Sequence, residues 1–92
     1  MSIMTNSDRR KFYREHGIDI EVTVVVKAEG NGFVHTGNYR FTLTKFDEQR
    51  RLVKNFYAKN VYPSYEDAEN AALTLAVAVF EGREENQRNK YM

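Results

Sequence analysis

Few side chains in this sequence are of the types that perform acid–base, nucleophilic or metal chemistry, and their spacing suits none of these reactions. The 92 residues include two histidines, His16 and His35, and no cysteine. Neither histidine has a second ligand at metal-binding spacing, and without cysteine there are no thiolate ligands or nucleophiles. Asp19 and Glu21 lie two residues apart, on the solvent face of an alternating segment. We therefore expect no catalytic residues, no metal and no cofactor, and a protein that is not an enzyme.

Cations interleaved with aromatic rings are the other chemically informative residues. Such mixtures suit phosphates and stacked bases, and they also suit protein–protein contacts. The residues alone leave a second interpretation open, a solvated sheet edge on which lysine and arginine discourage aggregation. The candidate partner-binding or RNA-binding residues are Arg9, Arg10, Arg14, Arg40, Arg50, Arg51, Lys54 and Lys59.

Charge is segregated along the chain although the formal net charge is only +1. The cations concentrate in residues 1–17 and 39–62. Residues 63–82 contain no lysine or arginine but include four carboxylates, Glu66, Asp67, Glu69 and Glu81. Separated regions of opposite charge favour association with charged partners even when the net charge is near zero.

Periodicity and turn residues predict the elements that position these side chains. Ser7 is a suitable N-cap and Gly17 a suitable C-terminal residue for a short helix over residues 7–16. Alternating side chains predict a three-stranded antiparallel sheet over residues 18–61, with its first strand over 18–29. The stretch Gly30-Asn31-Gly32 predicts a turn after that strand, with Asn-Gly the strongest hairpin dipeptide.

Two features of the sheet stay open at this point. The second strand begins either at Phe33 or only after Gly37-Asn38. The third strand, over residues 50–59, has two plausible inward sets, Leu52 with Phe56 or Val53 with Tyr57.

A second helix is predicted over residues 64–82, and a polar tail over 83–92. Pro63 blocks continuation of the strand, Ser64 is the N-cap candidate, and Asp67 has the spacing of a capping box. Apolar residues then recur at helical spacing as a face that includes Ala68, Ala71, Ala72, Leu75, Ala76, Val79 and Phe80.

These elements predict a single α+β domain over residues 1–92 in the order α-β-β-β-α, with both helices packed on one face of the sheet. The absence of cysteine favours a reducing compartment. Residues 1–7 lack an apolar stretch of signal-peptide length, and no apolar run approaches 18 residues. We expect a soluble cytoplasmic protein without a membrane partner or a small-molecule substrate.

The predicted topology resembles the double-stranded RNA-binding domain. The stretch AENAALTLAV (68–77) is similar to the alanine-rich final helix of that family. The resemblance implies a nucleic-acid-binding module. In that family, however, lysines at the start of the helix contact phosphates, whereas residues 65–69 here carry three carboxylates.

The whole chain also resembles the small phage-encoded anti-CRISPR proteins that inhibit type I-F surveillance complexes. The stretches MSIMTNSDRR (1–10) and IDIEVTV (18–24) carry this resemblance, together with the length and the lack of cysteine. It implies a stoichiometric inhibitor that acts in the host bacterial cytoplasm. Such an inhibitor docks on Cas protein subunits and prevents target DNA binding or nuclease recruitment. The basic patch of this chain is in addition suited to the exposed backbone of the guide RNA. A small structural or assembly protein is a third interpretation.

Overall fold

The α-β-β-β-α order and the α+β class are confirmed. A computed structural model describes residues 4–82, and the predicted tail over residues 83–92 lies outside these described residues. The elements are α1 (Asn6–Glu15), β1 (Ile18–Glu29), β2 (Gly32–Phe46), β3 (Leu52–Tyr57) and α2 (Tyr65–Phe80). None of the helices in this part of the chain is long and apolar enough to cross a membrane.

The first helix begins two residues earlier than a Ser7 cap allows, so the prediction of Ser7 as N-cap was wrong. Thr5 is the N-cap. Its hydroxyl accepts a hydrogen bond from the Asp8 amide at 3.1 Å, and the Asp8 carboxylate accepts one from the Thr5 amide at 3.2 Å. This reciprocal pair satisfies two amides that the start of a helix leaves unpaired, which a cap at Ser7 cannot do here.

The sheet has the strand order β1-β2-β3, with both pairs antiparallel. Gly30 and Asn31 form the two-residue turn between Glu29 and Gly32, and Gly30 has the φ of +61° that the first position of a type II′ turn requires. β2 is continuous from Gly32. Gly37 therefore lies within β2, at a bulge, and does not mark the start of the strand.

β3 is shorter than predicted and faces the core through Phe56. Tyr57 on the opposite face is 69% exposed, which decides the open question in favour of the Leu52 and Phe56 set. Leu52 itself is exposed because a register shift and the end of the strand carry it away from the core. The predicted range of 50–59 was too long because the Asp47 carboxylate accepts hydrogen bonds from the following backbone and closes a loop.

Helix α2 packs mainly on β1 and β2, and α1 packs against β1 and α2. Ser64 caps α2 as predicted, since its hydroxyl accepts the Asp67 amide at 3.0 Å. The core lies between α2 and the sheet. It consists of Ile18, Ile20, Phe41, Leu43, Phe56, Ala72, Leu73, Leu75, Ala76 and Val79.

Phe80, predicted as part of the apolar face of α2, is 47% exposed and lies outside this core. Its ring packs edge-on against Phe12, Tyr13 and His16 of the first helical segment, at centroid distances of 5.5, 5.8 and 5.3 Å. Phe80 therefore joins the C-terminal ends of the two helices and contributes less buried surface than Leu75.

Gly17 gives a direct test of the helix-to-strand connection. Its φ is +82°, and a Cβ at this position would lie 2.7 Å from the backbone oxygen of Phe46. We expect Gly17→Ala to lower the free energy of unfolding by at least about 2 kcal/mol. Gly37→Ala is the matched control, because Gly37 has a φ of +88° but open space around it. It should cost only the backbone strain, about 1–2 kcal/mol. Equal losses in urea denaturation would contradict this packing.

Leu75 and Phe80 should differ in their contribution to stability. We expect Leu75→Ala to cost about 2–5 kcal/mol because it leaves a cavity in the core. Phe80→Ala should cost about 1–2 kcal/mol, since half of the ring is already exposed and the loss is mainly of aromatic contacts. Thermal or urea unfolding of the two variants measures this order, and a larger loss for Phe80→Ala would place the core elsewhere.

Candidate functional site

The predicted binding cations do not form one cluster, because the fold distributes them over four places. Two lie on α1, three lie at the corner between the end of α1 and the β2–β3 loop, one lies on the open sheet face, and two lie beside β3. In this order they are Arg9 and Arg10; Arg14, Arg50 and Arg51; Arg40; and Lys54 and Lys59.

Arg10 is a structural residue. Its guanidinium forms a salt bridge to Glu69 at 2.9 Å, and the two side chains are only 19% and 13% exposed. It also donates to the hydroxyl of Tyr65 at 2.8 Å and to the carbonyl of Ile20 at 2.7 Å. Burial alone lowers the pKa of Arg10, but the hydrogen bonds to Glu69 and Tyr65 outweigh it, and the pKa is raised from its ordinary value.

This one side chain therefore ties α1 to α2 and to β1. Its Nε is buried and makes no hydrogen bond within residues 4–82. Asn6 strengthens the same contact by donating to Glu69 at 2.9 Å. By contrast, Arg9 is exposed, and within residues 4–82 its guanidinium makes no salt bridge or hydrogen bond.

The corner at the end of α1 is close to electrically neutral. Arg14 lies 3.5 Å from the Asp19 carboxylate, and Arg51 lies 3.0 Å from that of Asp47. Arg50 donates to the carbonyl of Arg14 at 3.2 Å. These exposed pairs contribute little to stability. They do neutralise much of the positive charge that the sequence places here, so the corner is a weak candidate for binding an anion.

The best-formed site is a groove of about 420 Å³ between β3 and α2. Phe41, Phe56 and Leu75 contribute apolar surface, and Lys54 and Lys59 line it as cations. None of the residues lining the groove is a carboxylate. An apolar floor with cations and without acidic side chains fits an anionic partner that also presents rings or aliphatic groups.

The groove exists because the chain leaves the sheet edge just after β3. The Ala58 amide donates to the Phe41 carbonyl at 3.1 Å, and Tyr62 pairs with Tyr39 through two hydrogen bonds of 2.8 Å. Residues 59–61 lie outside this pairing, and Lys59 and Asn60 line the groove. Since α2 packs mainly on β1 and β2, the space over β3 remains open.

Lys54 illustrates how the groove presents its charge. Its ammonium lies 4.8 Å from the centroid of the Phe56 ring, within cation–π range. The side chain is half-buried, so its aliphatic stem covers apolar surface while the charge stays at the groove. A phosphate or carboxylate can meet this charge while a base or an aromatic side chain packs on the groove floor.

The sheet face opposite the helices is a secondary candidate. Tyr57 and Arg40 both project there, with the carboxylate of Glu21 on the neighbouring strand. The Arg40 guanidinium makes no hydrogen bond or ion pair with the part of the chain that the structure describes. This face is mixed in charge and has no groove, so we rank it below β3.

The two histidines make local contacts. Nδ1 of His16 lies 2.8 Å from the carbonyl oxygen of Phe12 at the C-terminus of α1. Nδ1 of His35 accepts the Gly37 amide at 2.8 Å within the bulge of β2. Among residues 4–82, no three histidine, aspartate or glutamate side chains lie close enough together to hold a metal ion.

Comparison with known proteins adds nothing to this geometry. No protein family, no curated protein and no solved structure matches the chain.

Sequence reasoning identified the cations of the groove but missed its walls. Ala71, Thr74 and Leu75 of α2 line it, together with Tyr62 and Phe41. The apolar spacing of α2 predicts a face toward the sheet, but it carries no signal for which strands that face covers. The Thr5-x-x-Asp8 spacing, in contrast, was a readable capping signal in the sequence.

Arg9 and Arg10 are neighbours with opposite expected behaviour. We expect Arg10→Ala to lower the free energy of unfolding by about 1.5–3 kcal/mol, because Glu69 and the Ile20 carbonyl lose a charged donor. Arg9→Ala should change it by less than about 0.5 kcal/mol, as for other exposed positions. Urea denaturation of both variants tests the assignment. A stable Arg10→Ala protein would return Arg10 to the candidate binding residues.

Proposed function

We propose that this protein is a non-catalytic binding protein of the anti-CRISPR type. It docks in stoichiometric amounts on the RNA-guided type I-F surveillance complex and blocks target DNA binding. The groove beside β3 is its docking surface, and its anionic occupant is the phosphate backbone of the guide RNA as held by the Cas subunits. The resemblance of the whole chain to type I-F inhibitors supports the choice of partner.

The observation that carries the proposal is the electrostatic character of the β3 edge. From Gln49 through Tyr65 the chain has four cations and no carboxylate, and two of these cations, Lys54 and Lys59, line the groove. Phe56 and Tyr57 alternate across β3 between the groove and the open face. This combination favours a partner with phosphates and exposed rings.

The acidic end of α2 supports a second contact with protein. Glu66 and Asp67 lie in the first turn of α2 and are exposed, whereas Glu69 is occupied by Arg10. Exposed carboxylates attract the lysines that a surveillance complex uses to hold DNA, and occupying those lysines would exclude the target. The protein would act by occupying a surface and would need no chemical step.

A double-stranded RNA-binding module is the alternative, and the confirmed α-β-β-β-α topology favours it. The same exposed carboxylates disfavour it, because they lie at the start of α2 where that family places phosphate-binding lysines. Bare duplex RNA should therefore bind this protein more weakly than the assembled complex does.

Size-exclusion chromatography of the purified chain tests the proposal. The partners in separate runs are an assembled type I-F surveillance complex, its guide RNA alone and a bare RNA duplex. We expect co-elution with the complex and no stable complex with either bare nucleic acid. Co-elution with bare duplex would favour the RNA-binding module instead, and no co-elution in any run would refute both functions.

Two double variants locate the docking surface. Lys54→Gln with Lys59→Gln removes two positive charges beside β3. Arg9→Gln with Lys11→Gln removes two from α1, which packs against β1 at the opposite edge of the sheet. We expect the first pair to weaken binding to the complex by about tenfold or more, and the second to change it by less than about threefold. The opposite order, in a titration followed by fluorescence anisotropy, would move the docking surface to α1.

A further inference from the structure

β1 is an edge strand whose outward backbone groups can be identified from the hydrogen bonds around it. The carbonyls of Gly17 and Val25 accept hydrogen bonds from β2, the first from the Phe46 amide and the second from the Thr36 hydroxyl. The carbonyl of Ile20 instead accepts Arg10, from the other side. The N–H and C=O groups of successive residues point to opposite sides of a strand. The backbone groups of the odd-numbered residues of β1 therefore point toward β2, and those of the even-numbered residues point outward.

The outward row includes Val22, Val24 and Val26, and no strand pairs with it within residues 4–82. Arg10 occupies the outward carbonyl of Ile20 and so closes the row at that end. An open row of amides and carbonyls on a valine-rich strand is a template for adding another strand.

The same part of β1 belongs to a two-stranded arm that extends past the helices. Val24, Val26 and Phe33 are 48%, 47% and 75% exposed. The register pairs Val26 with His35 and Ala28 with Phe33, so these side chains share one face of the arm. A two-stranded hairpin is marginally stable in water, and exposed large apolar side chains on it favour a covering partner.

We propose that the partner is a second copy of this chain, which pairs its β1 antiparallel to the first about a two-fold axis at Val24. Hydrogen bonds between the two copies can join only residues whose backbone groups point outward in both. Val24 therefore lies opposite Val24 of the second copy, and Val22 lies opposite Val26 of the second copy. The two sheets then join into one of six strands. This inference is independent of the proposed function.

Charge complementarity selects this register. An axis at Val24 places Glu21 opposite Lys27 of the other copy, and the symmetry repeats this attractive pair. Asp19 and Glu29 also come opposite each other, but they lie beyond Ile20, where the hydrogen bond from Arg10 ends the ladder. An axis at Val25 would place Glu21 opposite Glu29 and repel. An axis at Val26 would bring the turn residue Gly30 into the ladder and leave Glu21 without a cation.

The same register covers the exposed arm. Ala28 of one copy lies beside Ile20 of the other, so each arm extends along the half of the partner that carries α1. The hydrogen bond from Arg10 to Ile20 marks where the new ladder ends. Both β3 strands lie at the outer edges of the six-stranded sheet, which leaves each groove accessible.

Cysteine cross-linking tests the axis, because the natural chain has no cysteine. Residues opposite each other in such a pair have Cα atoms about 5.5 Å apart, within disulfide range. We expect Val24→Cys to form a disulfide-linked dimer under mild oxidation at least about tenfold faster than Val26→Cys, whose copies would lie roughly 13 Å apart. The two valines are equally exposed. Equal rates would mean random collision, and faster linkage of Val26→Cys would place the axis elsewhere; either result overturns the proposal.

A charge exchange tests the register without cysteine. We expect Glu21→Lys alone and Lys27→Glu alone each to weaken the dimer about tenfold in analytical ultracentrifugation, because both attractive pairs become repulsive. An equimolar mixture of the two variants should restore a dimer, since each lysine then faces a glutamate. A wild-type chain that remains monomeric at millimolar concentration, or a mixture that stays monomeric, would refute the proposal.

Discussion

The small helical layer is the constraint on which the rest of this structure depends. Two helices pack over β1 and β2 near the start of β1. They cover β3 only around Phe56 and leave the far end of the β1–β2 hairpin exposed. Within residues 4–82 the two helices do not bury both faces and both edges of the sheet. The groove beside β3 and the exposed arm are two consequences of the same incomplete coverage.

Arg10 shows how a thin core is held in place at the edge of that layer. Its salt bridge to Glu69 and its hydrogen bond to Ile20 fix α1 against α2 and β1. The desolvation of such a pair offsets much of its attraction, so its main contribution is to specify one arrangement of the helices. An arginine side chain is charged throughout the neutral range, and the hydrogen bonds to Glu69 and Tyr65 raise the pKa of Arg10 further, so this contact keeps its positive partner.

Local rules were sufficient for most of the fold, because strands and caps depend on neighbours in sequence. Alternation gave the bounds of β1, and Ser64 was a readable cap for α2. Thr5 caps α1 in place of Ser7 because Thr5 and Asp8 form two reciprocal hydrogen bonds. The three-residue spacing of Thr5 and Asp8 in the sequence was the signal for this cap. The candidate site was less predictable. Tertiary packing decides whether an arginine is exposed to a partner, as Arg9 is, or bound to a neighbouring helix, as Arg10 is. Tertiary packing also decides which strands α2 covers.

Backbone amide hydrogen exchange, compared between the free protein and the protein bound to a type I-F surveillance complex, tests the central claim most directly. The measurement reports which segments become protected and does not depend on any substitution. The account predicts added protection at residues 54–60 and 71–75, which line the groove, and little change in α1. Protection confined to α1 or to the corner near Arg50, or no protection at all, would contradict it.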